Sequence, residues 1–301
     1  MKKLLVIVVT YNAMSWIDKC LGSVLGASLK SDLFVIDNGS KDGTIEHIKN
    51  KYPQIKFHES KSNLGFGKAN NIGLQYAIDK GYDYVYLLNQ DAWVMNDTFN
   101  VLINIVKSNP EIGIISPLQV QANMRKLDVN YNTGVLSYES CPKILSDALL
   151  GKLSDWYYVK DVMAAHWLIS RECLLRIGGF SPSFPHYGED INYLERVLYH
   201  GMKIAIATKT IGVHDREYRT ETVKKQMYLD YIRFIKDLSS PFEYSENKQG
   251  RYLRILLFDV IKYHSIAPIK YLLKILFEMK KIQAYREISI NQYTAFLNEK
   301  N

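Results

Sequence analysis

Three short polar clusters each stand directly after an apolar run in the first third of the chain. Ligands of open α/β sheets bind at the carboxyl ends of the strands, so side chains at those ends could share one site. A carboxylate there could hold Mg²⁺ or Mn²⁺, which take oxygen ligands from carboxylates and substrate phosphates. Three clusters in register predict one site rather than three unrelated turns. They are Thr10-Tyr11-Asn12, Asp37-Asn38 and Asn89-Gln90-Asp91.

Single residues of these clusters also have structural explanations. Asp91 is followed closely by Asp97 and Thr98 and could form a turn or a cap, and Asp37 before Asn-Gly could begin a turn. In the functional interpretation, Asp91 binds a cation and Asp37 accepts a hydrogen bond from a base N–H or a ribose hydroxyl. His214 ends another apolar run. It could complete a metal site with Asp91, although a lone histidine is more often an ordinary surface or core residue.

Two adjacent acids, Glu189 and Asp190, open a predicted helix after the segment SFPHYG. The helix dipole favours acids in a first turn, which is the structural explanation. The functional one is a general base held over a cleft. The dipole then predicts a lowered pKa for Asp190, as suits a carboxylate that stays ionised. Arg196, lower on the helix, is expected to support the loop by pairing with a carboxylate.

A glycine-rich loop at residues 63–71 leads into another predicted helix. It matches neither G-x-G-x-x-G nor G-K-[ST], but its glycines would let the backbone approach a ligand closely. Lys68 could contact a phosphate. Helix capping accounts for one of Asn70 and Asn71 but hardly for both. Gly65, Lys68 and Asn70 are therefore candidate binding residues.

The elements that must position these residues follow an alternating pattern. Residues 3–9 and 33–36 are apolar strands, residues 44–51 look helical, and further strand and helix segments follow at short spacing. This alternation predicts an α/β fold, a mostly parallel sheet with helices on both faces. Residues 120–160 are polar and broken. The predicted organisation is a catalytic domain at 1–218 and a helical basic region at 219–301.

Composition sets the broad class. A chain of 301 residues with 47% hydrophobic content can form one large domain with an appendage, or two modest domains. Three isolated cysteines favour a reducing compartment. The apolar run at the N-terminus is too short for a signal peptide, and no stretch reaches the roughly 20 apolar residues of a membrane span. The net charge of +7 would suit nucleic acid, anionic lipid, phosphorylated substrates or a solubilising surface.

Six segments, in order, resemble the family 2 glycosyltransferases with the GT-A fold, and more narrowly their rhamnosyltransferase-like branch, which builds bacterial surface polysaccharides. They are VVTYN, VIDNGSKDGT, NLGFGKANNIGL, LLNQDAWV, GGFSPSFPHYGEDINYLERV and GVHD. The resemblance runs from residue 3 to about 218. It implies a metal-dependent, inverting transfer from a UDP- or dTDP-sugar to a hydroxyl of a glycan or lipid-linked acceptor. It also implies a location in the cytoplasm or at the inner membrane face.

The resemblance implies a role for each matched residue. Asp190 would be the catalytic base with Glu189 beside it, and Asp91 and His214 would hold Mn²⁺ or Mg²⁺ at the diphosphate. The implied donor-binding residues are Thr10, Tyr11, Asn12, Asp37, Asn38, Gly65, Lys68, Asn70, Asn89, Gln90 and Asp91.

The chain departs from the family pattern at three points. Asn89 replaces the first acid of the D-x-D-type motif, and Asn192 replaces the second acid of E-D-x-D. His166-Trp167 replaces residues that are usually small. These departures concern the acceptor more than the chemistry, and we count His166, Trp167 and Tyr187 as candidate acceptor contacts.

Residues 248–286 combine basic and apolar side chains, with few acids between them. The pattern predicts a helix that lies on an anionic membrane. The alternative is an appendage whose apolar face packs on the catalytic domain or on a second subunit in a homodimer. Nucleic acid is not expected as a partner, because no binding module is visible.

Three other functions compare less well with the sequence. A nucleotidyltransferase would need a basic triphosphate-binding loop near the first strand, which TYNAMSW lacks. A nicotinamide dehydrogenase would need a glycine fingerprint in the first turn. A sugar-nucleotide-binding or assembly protein without catalysis is disfavoured by the presence of both Asp91 and Asp190.

Overall fold

A mixed β-sheet forms the centre of the protein. The computed structural model describes residues 3–216, 222–242 and 246–297, with the backbone alone at 132–133, 246–253, 256 and 267. Within these ranges the sheet has nine strands. They are β1 Leu4–Thr10, β2 Asp32–Asp37, β3 Lys56–Glu59, β4 Tyr84–Asn89, β5 Ala92–Val94, β6 Ile112–Gln121, β7 Trp156–Val159, β8 His166–Ser170 and β9 Lys203–His214.

The helices cover both faces of the sheet and form a separate group after β9. A short π-helical turn lies at Tyr131–Val135. The α-helices are α1 Ile17–Leu25, α2 Thr44–Lys51, α3 Phe66–Asp79, α4 Thr98–Ser108, α5 Ile144–Leu149, α6 Arg171–Ile177, α7 Glu189–Tyr199, α8 Val223–Ser239, α9 Glu246–Tyr263 and α10 Ala267–Asn291.

The strand order is β3-β2-β1-β4-β8-β6-β9-β5, with β7 also paired to β9. Strands β1 to β4 are parallel, as the alternating pattern predicts. Strand β8 runs antiparallel to both β4 and β6, and β5 and β7 run antiparallel to β9. Apolar patterning does not encode strand direction, so these reversals are outside what the sequence predicts.

Strand β1 shows why the sheet is covered on both sides. Leu5 and Ile7 belong to the apolar core that contains α3, whereas Val6 and Val8 belong to the core that contains α1 and α4. All four side chains are buried, as expected of a strand whose two faces are both packed. The predicted buried first strand is therefore confirmed.

A hairpin extends β6 beyond the predicted strand at 112–116. The strand continues to Gln121, the chain turns, and the return segment bonds back through Gln121 N to Lys126 O and Asp128 N to Gln119 O. Strand β9 runs parallel to β6 and reaches His214 opposite Gln121. The hairpin thereby brings Asp128 to the carboxyl end of β9.

The helices after β9 pack on the part of the chain that carries the sheet. Their own apolar core lies mainly between α8 and α10 and includes Phe184, from the loop before α7. The last described residues fold back, and Gly179 N donates to Ala295 O. The sequence offered packing of the appendage on the preceding domain as one alternative. The structure confirms it for the face of α8 and α10 that contacts Phe184. The boundary at 218 and the side chains of Lys248, Arg251 and Leu253 lie outside the described residues, and the two-part division stays a prediction.

No helix in the described ranges combines the length and the apolar character that a membrane span requires.

Candidate active site

The register of the parallel strands brings the three polar clusters together. Thr10 pairs with Asp37 across β1 and β2, and Val9 pairs with Asn89 across β1 and β4. The three strand ends are therefore neighbours at one edge of the sheet. The structure therefore confirms the prediction that the three clusters lie together; it does not test what they bind.

Asp37 is fully buried, and its carboxylate is used by its own loop. Oδ1 accepts from the backbone N–H groups of Gly39 and Ser40, at 2.9 and 2.8 Å. Oδ2 accepts from the hydroxyls of Thr10, at 2.7 Å, and Ser40, at 2.6 Å. Four bonds fill the acceptor positions of a carboxylate, so in this conformation Asp37 shapes the loop and does not face a ligand. Thr10 is buried as well and serves the same purpose.

Tyr11 and Asn12 lie on the surface and are held by their neighbours. Gln90 accepts from Tyr11 N at 2.7 Å and donates to Tyr11 O at 3.2 Å, which ties the ends of β1 and β4 together. Asn12 has a left-handed backbone, with φ of 52°. Its Oδ1 accepts from Lys41 N at 2.9 Å. The ring of Tyr11 is about half exposed and is free to contact a ligand.

The glycine-rich loop is fastened to β2 through Asn38. This buried side chain donates to Gly65 O and accepts from Leu64 N, both at 3.3 Å. Gly65 has φ of 80°, a conformation that favours glycine. Asn70 is buried and donates to Phe66 O within its own helix. Lys68 is exposed on the first turn of α3 and can reach a bound anion.

Asn71, the partner of Asn70 in sequence, joins α3 to the loop that precedes α7. Its Nδ2 donates to Phe180 O at 3.0 Å, and its Oδ1 accepts from Phe180 N at 2.7 Å. The side chain therefore pairs with Phe180 as a neighbouring strand would. This explains why capping did not account for both asparagines.

His214 lies between two carboxylates. Its Nε2 is 3.5 Å from Asp91 Oδ1, and its Nδ1 is 3.2 Å from Asp128 Oδ2. Burial alone would lower the pKa of His214, but the two carboxylates outweigh burial and raise it. Burial would raise the pKa of Asp128, but His214, the N–H of Asn130 and Arg216 hold it below its usual value.

Asp91 and His214 could together provide two ligands to a hard divalent cation, with the remaining ligands coming from substrate phosphates and water. Asp91 is partly exposed, and His214 Nε2 faces it. Over the described residues no group of three or more His, Cys, Asp or Glu side chains is arranged to hold a metal ion. One carboxylate and one imidazole suit an ion that completes its shell with substrate phosphates and water. Asn89, the half-buried neighbour at the end of β4, adds no carboxylate.

Glu189 and Asp190 begin α7 after two left-handed residues, Tyr187 and Gly188. Burial, with a contribution from Asp190, raises the pKa of Glu189 to about 7. Glu189 is buried, and its Oε2 has no hydrogen-bond partner in the described part of the chain. Asp190 accepts from Ile191 N at 2.9 Å.

The predicted lowering of the pKa of Asp190 is wrong. Burial raises it, with a smaller contribution from Asp161, while the N–H groups of the helix start and Arg216 act in the other direction. Loss of hydration therefore outweighs the helix dipole at this position.

Arg196 supports the loop before α7, but not through the predicted carboxylate. The side chain is fully buried and donates to the backbone carbonyls of Ile177 and Gly179. It also lies against the rings of Tyr193 and Phe296. Burial lowers its pKa to about 10.

Two of the candidate acceptor contacts lie in the core. His166 has no exposed surface, and its ring bridges Tyr86 Oη and Val213 O. Burial lowers its pKa to about 3, so the ring is neutral. Trp167 is also fully buried and donates to Val162 O. Direct acceptor contact is therefore wrong for both, because β8 lies between β4 and β6 and both of its faces are covered.

Tyr187, the third candidate, is partly exposed beside the helix start. Its ring contacts His186 at a centroid distance of 3.9 Å and Tyr228 at 6.4 Å. Tyr228 Oη donates to His186 O at 2.9 Å, so α8 holds this loop in place. Of the three candidates, Tyr187 remains accessible to an acceptor.

Sequence reasoning missed Asp128 and Tyr228. Asp128 lies in the polar stretch 120–160, where no periodic signal predicts its partner. Tyr228 lies in the helical region that the sequence links to a membrane or a partner. Both reach the site through packing between segments far apart in sequence, so a local motif would not find them.

The chain matches the family described as Glycosyl transferase family 2 over residues 5–174. It is 33% identical over 108 residues to an uncharacterized glycosyltransferase of Haemophilus influenzae, covering 35% of this chain and 42% of that protein. It is 28% identical over 241 residues to an N-acetylglucosaminyl-diphospho-decaprenol L-rhamnosyltransferase of Mycobacterium tuberculosis, covering 71% of this chain and 76% of the relative.

Solved structures with the same architecture include S. aureus TarS in complex with UDP-GlcNAc. This match has a TM-score of 0.55 at 14% identity and covers 96% of this chain and 83% of that one. GalNAc-T7 with UDP, GalNAc and Mn²⁺ matches with a TM-score of 0.56 at 15% identity, over 93% of this chain and 58% of that one. The chain spans 43% of a longer TarS structure. The chain therefore belongs to glycosyltransferase family 2, has the GT-A fold and is similar to the rhamnosyltransferases of that family.

Proposed function

We propose that the protein is an inverting glycosyltransferase. It moves a sugar from a UDP- or dTDP-sugar to a hydroxyl of a glycan or lipid-linked acceptor in surface polysaccharide synthesis. The observation that carries the proposal is that the start of α7 lies beside the glycine-rich loop at the strand ends. A Cβ at Gly67 would lie 3.9 Å from the Cβ of Glu189, and one at Gly65 would lie 3.1 Å from Pro185 O. The loop is in turn bonded to Asn38 at the end of β2, so the two acids of α7 and the polar strand ends border the same region.

Asp190 is the proposed catalytic base. It accepts the proton of the acceptor hydroxyl while that oxygen forms a bond to the anomeric carbon. The bond from the anomeric carbon to the diphosphate breaks on the opposite face, and the nucleoside diphosphate leaves. The raised pKa of Asp190 suits this role, because a carboxylate with a higher pKa binds the transferred proton more strongly.

The donor site is proposed at the ends of β1, β2 and β4. Tyr11 presents an exposed ring for the base, and Lys68 presents an exposed ammonium group for a phosphate. Asp37, Asn38 and Gln90 fix the backbone around them. Asp91 and His214 would hold Mn²⁺ or Mg²⁺, which when bound supplies positive charge to the departing diphosphate.

Thermal unfolding with a panel of nucleotide sugars tests this function. A ligand that binds only the folded state raises the unfolding temperature. We expect stabilisation by UDP- or dTDP-sugars that requires Mn²⁺, and none by GDP- or CMP-sugars. Asp91→Asn should abolish the metal-dependent part, whereas Asp79→Asn, a surface carboxylate, should leave it unchanged. The absence of a shift with every donor would contradict the proposal and favour a role without nucleotide-sugar binding.

An assembly protein without catalysis is the main alternative function. It would bind a nucleotide sugar but release no nucleoside diphosphate over time. Coupled detection of UDP or dTDP release, with and without acceptor glycans, separates the two functions. Steady release that requires Asp190 supports the enzyme, and binding without release supports the alternative.

The proposed location is the cytoplasmic face of a membrane, and the outer face of α9 and α10 supports it. The inner face of α10 packs on α8 through buried residues such as Ile275 and Ile282. The outer faces expose large apolar side chains at helical spacing, and Phe277 is 92% exposed. This outer apolar surface consists of Leu257, Phe258, Ile261, Ile266, Ile269, Leu273, Leu276 and Phe277.

Charge next to the outer apolar surface favours an anionic bilayer over a second subunit. The exposed cations Arg254, Lys262, Lys270, Lys274, Lys280 and Lys281 accompany the apolar side chains, while Asp259 is buried. An interface between identical copies would bring these cations together around the same apolar surface. Anionic headgroups would instead neutralise them while the apolar groups enter the acyl region.

Vesicle sedimentation tests the membrane proposal. The protein should bind vesicles that contain phosphatidylglycerol and should bind phosphatidylcholine vesicles much less. The double variant Leu273→Ser with Phe277→Ser should lose binding. Leu145→Ser with Leu149→Ser, which alters exposed leucines on α5, should keep it. Unchanged binding by the first variant would contradict the proposal, and a dimer that dissociates in that variant would identify a homodimer interface instead.

A further inference from the structure

Asp128 is a buried carboxylate, and its role in the hairpin alone does not explain why a charged side chain is buried there. Its side chain is 2% exposed. It lies on the return segment of the β6 hairpin, and its Oδ1 accepts from Asn130 N at 3.0 Å. Its Oδ2 faces His214 Nδ1 at 3.2 Å and Arg216 Nε at 3.6 Å. A buried carboxylate is costly unless its partners compensate for lost hydration, so these contacts are the reason to ask what Asp128 does.

His214 needs a partner on the side away from Asp91. Its Nδ1 is buried and has no aligned hydrogen-bond partner in the described ranges, and Asp128 Oδ2 is the acceptor within ion-pair distance. The Nε2 faces Asp91. The ring is therefore placed so that one nitrogen faces the candidate metal site and the other faces a carboxylate.

We propose that Asp128 is a positioning residue that holds a proton of His214 on Nδ1, so that Nε2, beside Asp91, is the nitrogen that a cation would take. The inference rests on the proposed metal site. The physical basis is general: a neutral imidazole carries one N–H, and an acceptor at one nitrogen leaves the other free to bind a cation. Asp128 also fixes the ring orientation, because both Asn130 and Arg216 hold its carboxylate.

Asp128→Asn tests the proposal with almost no change in volume. If the amide oxygen keeps its bond to Asn130 N, the NH₂ group faces Nδ1 and favours the tautomer with the proton on Nε2. A protonated Nε2 cannot bind a cation and would instead donate to Asp91. We expect nitrogen NMR of histidine-labelled protein to show this change of tautomer in His214. Electron paramagnetic resonance of free Mn²⁺ should show a roughly 10- to 100-fold weaker affinity.

Asp18→Asn is the matched control. Asp18 contacts another histidine, His47, at 2.8 Å, at the surface between α1 and α2. This variant also removes a carboxylate from a histidine, but it should leave the Mn²⁺ affinity and the His214 tautomer unchanged. Circular dichroism and the unfolding temperature of both variants verify that the fold is retained.

A double variant separates positioning from a general loss of structure. In the background of His214→Ala, Asp128→Asn should weaken Mn²⁺ binding no further, because its effect acts through the ring. An equal loss in both backgrounds would overturn the inference, as would Asp128→Asn protein with unchanged tautomer and affinity. If the unchanged protein does not bind Mn²⁺, the inference and the metal part of the proposed function both fail. If only Asp128→Asn has no effect, the inference alone fails.

Discussion

The two sides of the proposed site differ in how their polar side chains are bonded. On the proposed donor side, Asp37, Asn38 and Gln90 use their hydrogen-bonding atoms on nearby backbone and hydroxyl groups. On the α7 side, Glu189 is buried and its Oε2 has no hydrogen-bond partner among the residues that the structure describes, and Asp190 has a raised pKa. The polar groups of the first side are bonded to the protein and fix the shape of its loops. On the second side, part of the carboxyl groups stays unbonded and could take part in proton transfer.

This difference has a thermodynamic meaning. Satisfied buried carboxylates stabilise a loop, whereas buried carboxyls without partners destabilise the folded state. Proteins often accept such instability where function requires it. We therefore expect donor-side variants to lose stability and binding together, Asp190 variants to lose turnover without losing stability, and removal of the Glu189 carboxyl to change stability more than turnover.

The largest effect should come from Asp190→Asn. An amide cannot accept the proton of the acceptor hydroxyl, so the rate of transfer should fall by about 10²- to 10⁴-fold, the range of a general base. The rate of nucleoside diphosphate release in the presence of acceptor measures this. Asp161→Asn, which changes a nearby acid, should cost much less. A near-normal rate for Asp190→Asn would exclude it as the base.

Asp37→Ala should destabilise the loop on the donor side and weaken donor binding. It leaves two backbone N–H groups and two hydroxyls without their acceptor in a buried loop, so the free energy of unfolding should fall by about 2 to 4 kcal/mol. Urea unfolding measures the loss, and calorimetry should show weaker donor binding. Asp79→Ala, on the surface of α3, should change stability by less than about 0.5 kcal/mol. Full stability of Asp37→Ala would show that the loop does not depend on this carboxylate.

Glu189→Gln tests the α7 side through the pH dependence of the free energy of unfolding. An unfolded glutamate titrates near pH 4.3, whereas the folded pKa is about 7. The folded state therefore holds this proton more tightly, and stability is lost as pH rises from about 4 to 7. Glutamine has no such proton, so relative to the unchanged protein the variant should gain roughly 3 kcal/mol between pH 4 and 8.

Urea unfolding of both proteins across this pH range measures the difference. Transfer by Glu189→Gln should stay within a few-fold of normal at pH 7, because glutamine resembles the protonated carboxyl. Parallel stability curves for the two proteins would mean that Glu189 titrates normally in the folded state.

The smallest expected effect is that of Asn71→Ala, which uncouples the two sides. It removes the two hydrogen bonds to Phe180, at a cost of about 1 to 2 kcal/mol in the free energy of unfolding. Asn100→Ala, which removes one exposed contact to Ser28, is the control. A loss no greater than that of the control would show that the clamp on Phe180 adds little.

Much of the donor side could be predicted from the sequence. Apolar strands followed by polar residues define the sheet edge, and parallel register brings Thr10, Asp37 and Asn89 together. The helix at residues 44–51 was predicted with the bounds that the structure has. What local pattern could not tell is that Asp37 is satisfied by its own loop, since that depends on atomic geometry.

The α7 side depends on contacts between distant segments, and sequence reasoning did worse there. His166 is buried because β8 lies between β4 and β6 in a sheet that is covered on both faces, and Arg196 donates to backbone carbonyls instead of a carboxylate. The pKa of Asp190 follows burial, which the helix dipole alone does not reveal. Asp128 reaches His214 by way of a hairpin that has no periodic signal.

Donor affinity tests the central claim most directly, namely that one side binds and the other catalyses. Calorimetry should use the nucleotide sugar selected by the stabilisation screen, with Mn²⁺, on the unchanged protein, Asp190→Asn and Asp37→Ala. The account predicts that Asp190→Asn binds the donor within about twofold of the unchanged protein while it fails to transfer, and that Asp37→Ala binds at least tenfold more weakly. Lost donor binding in Asp190→Asn, or full affinity in Asp37→Ala, would contradict this division of roles.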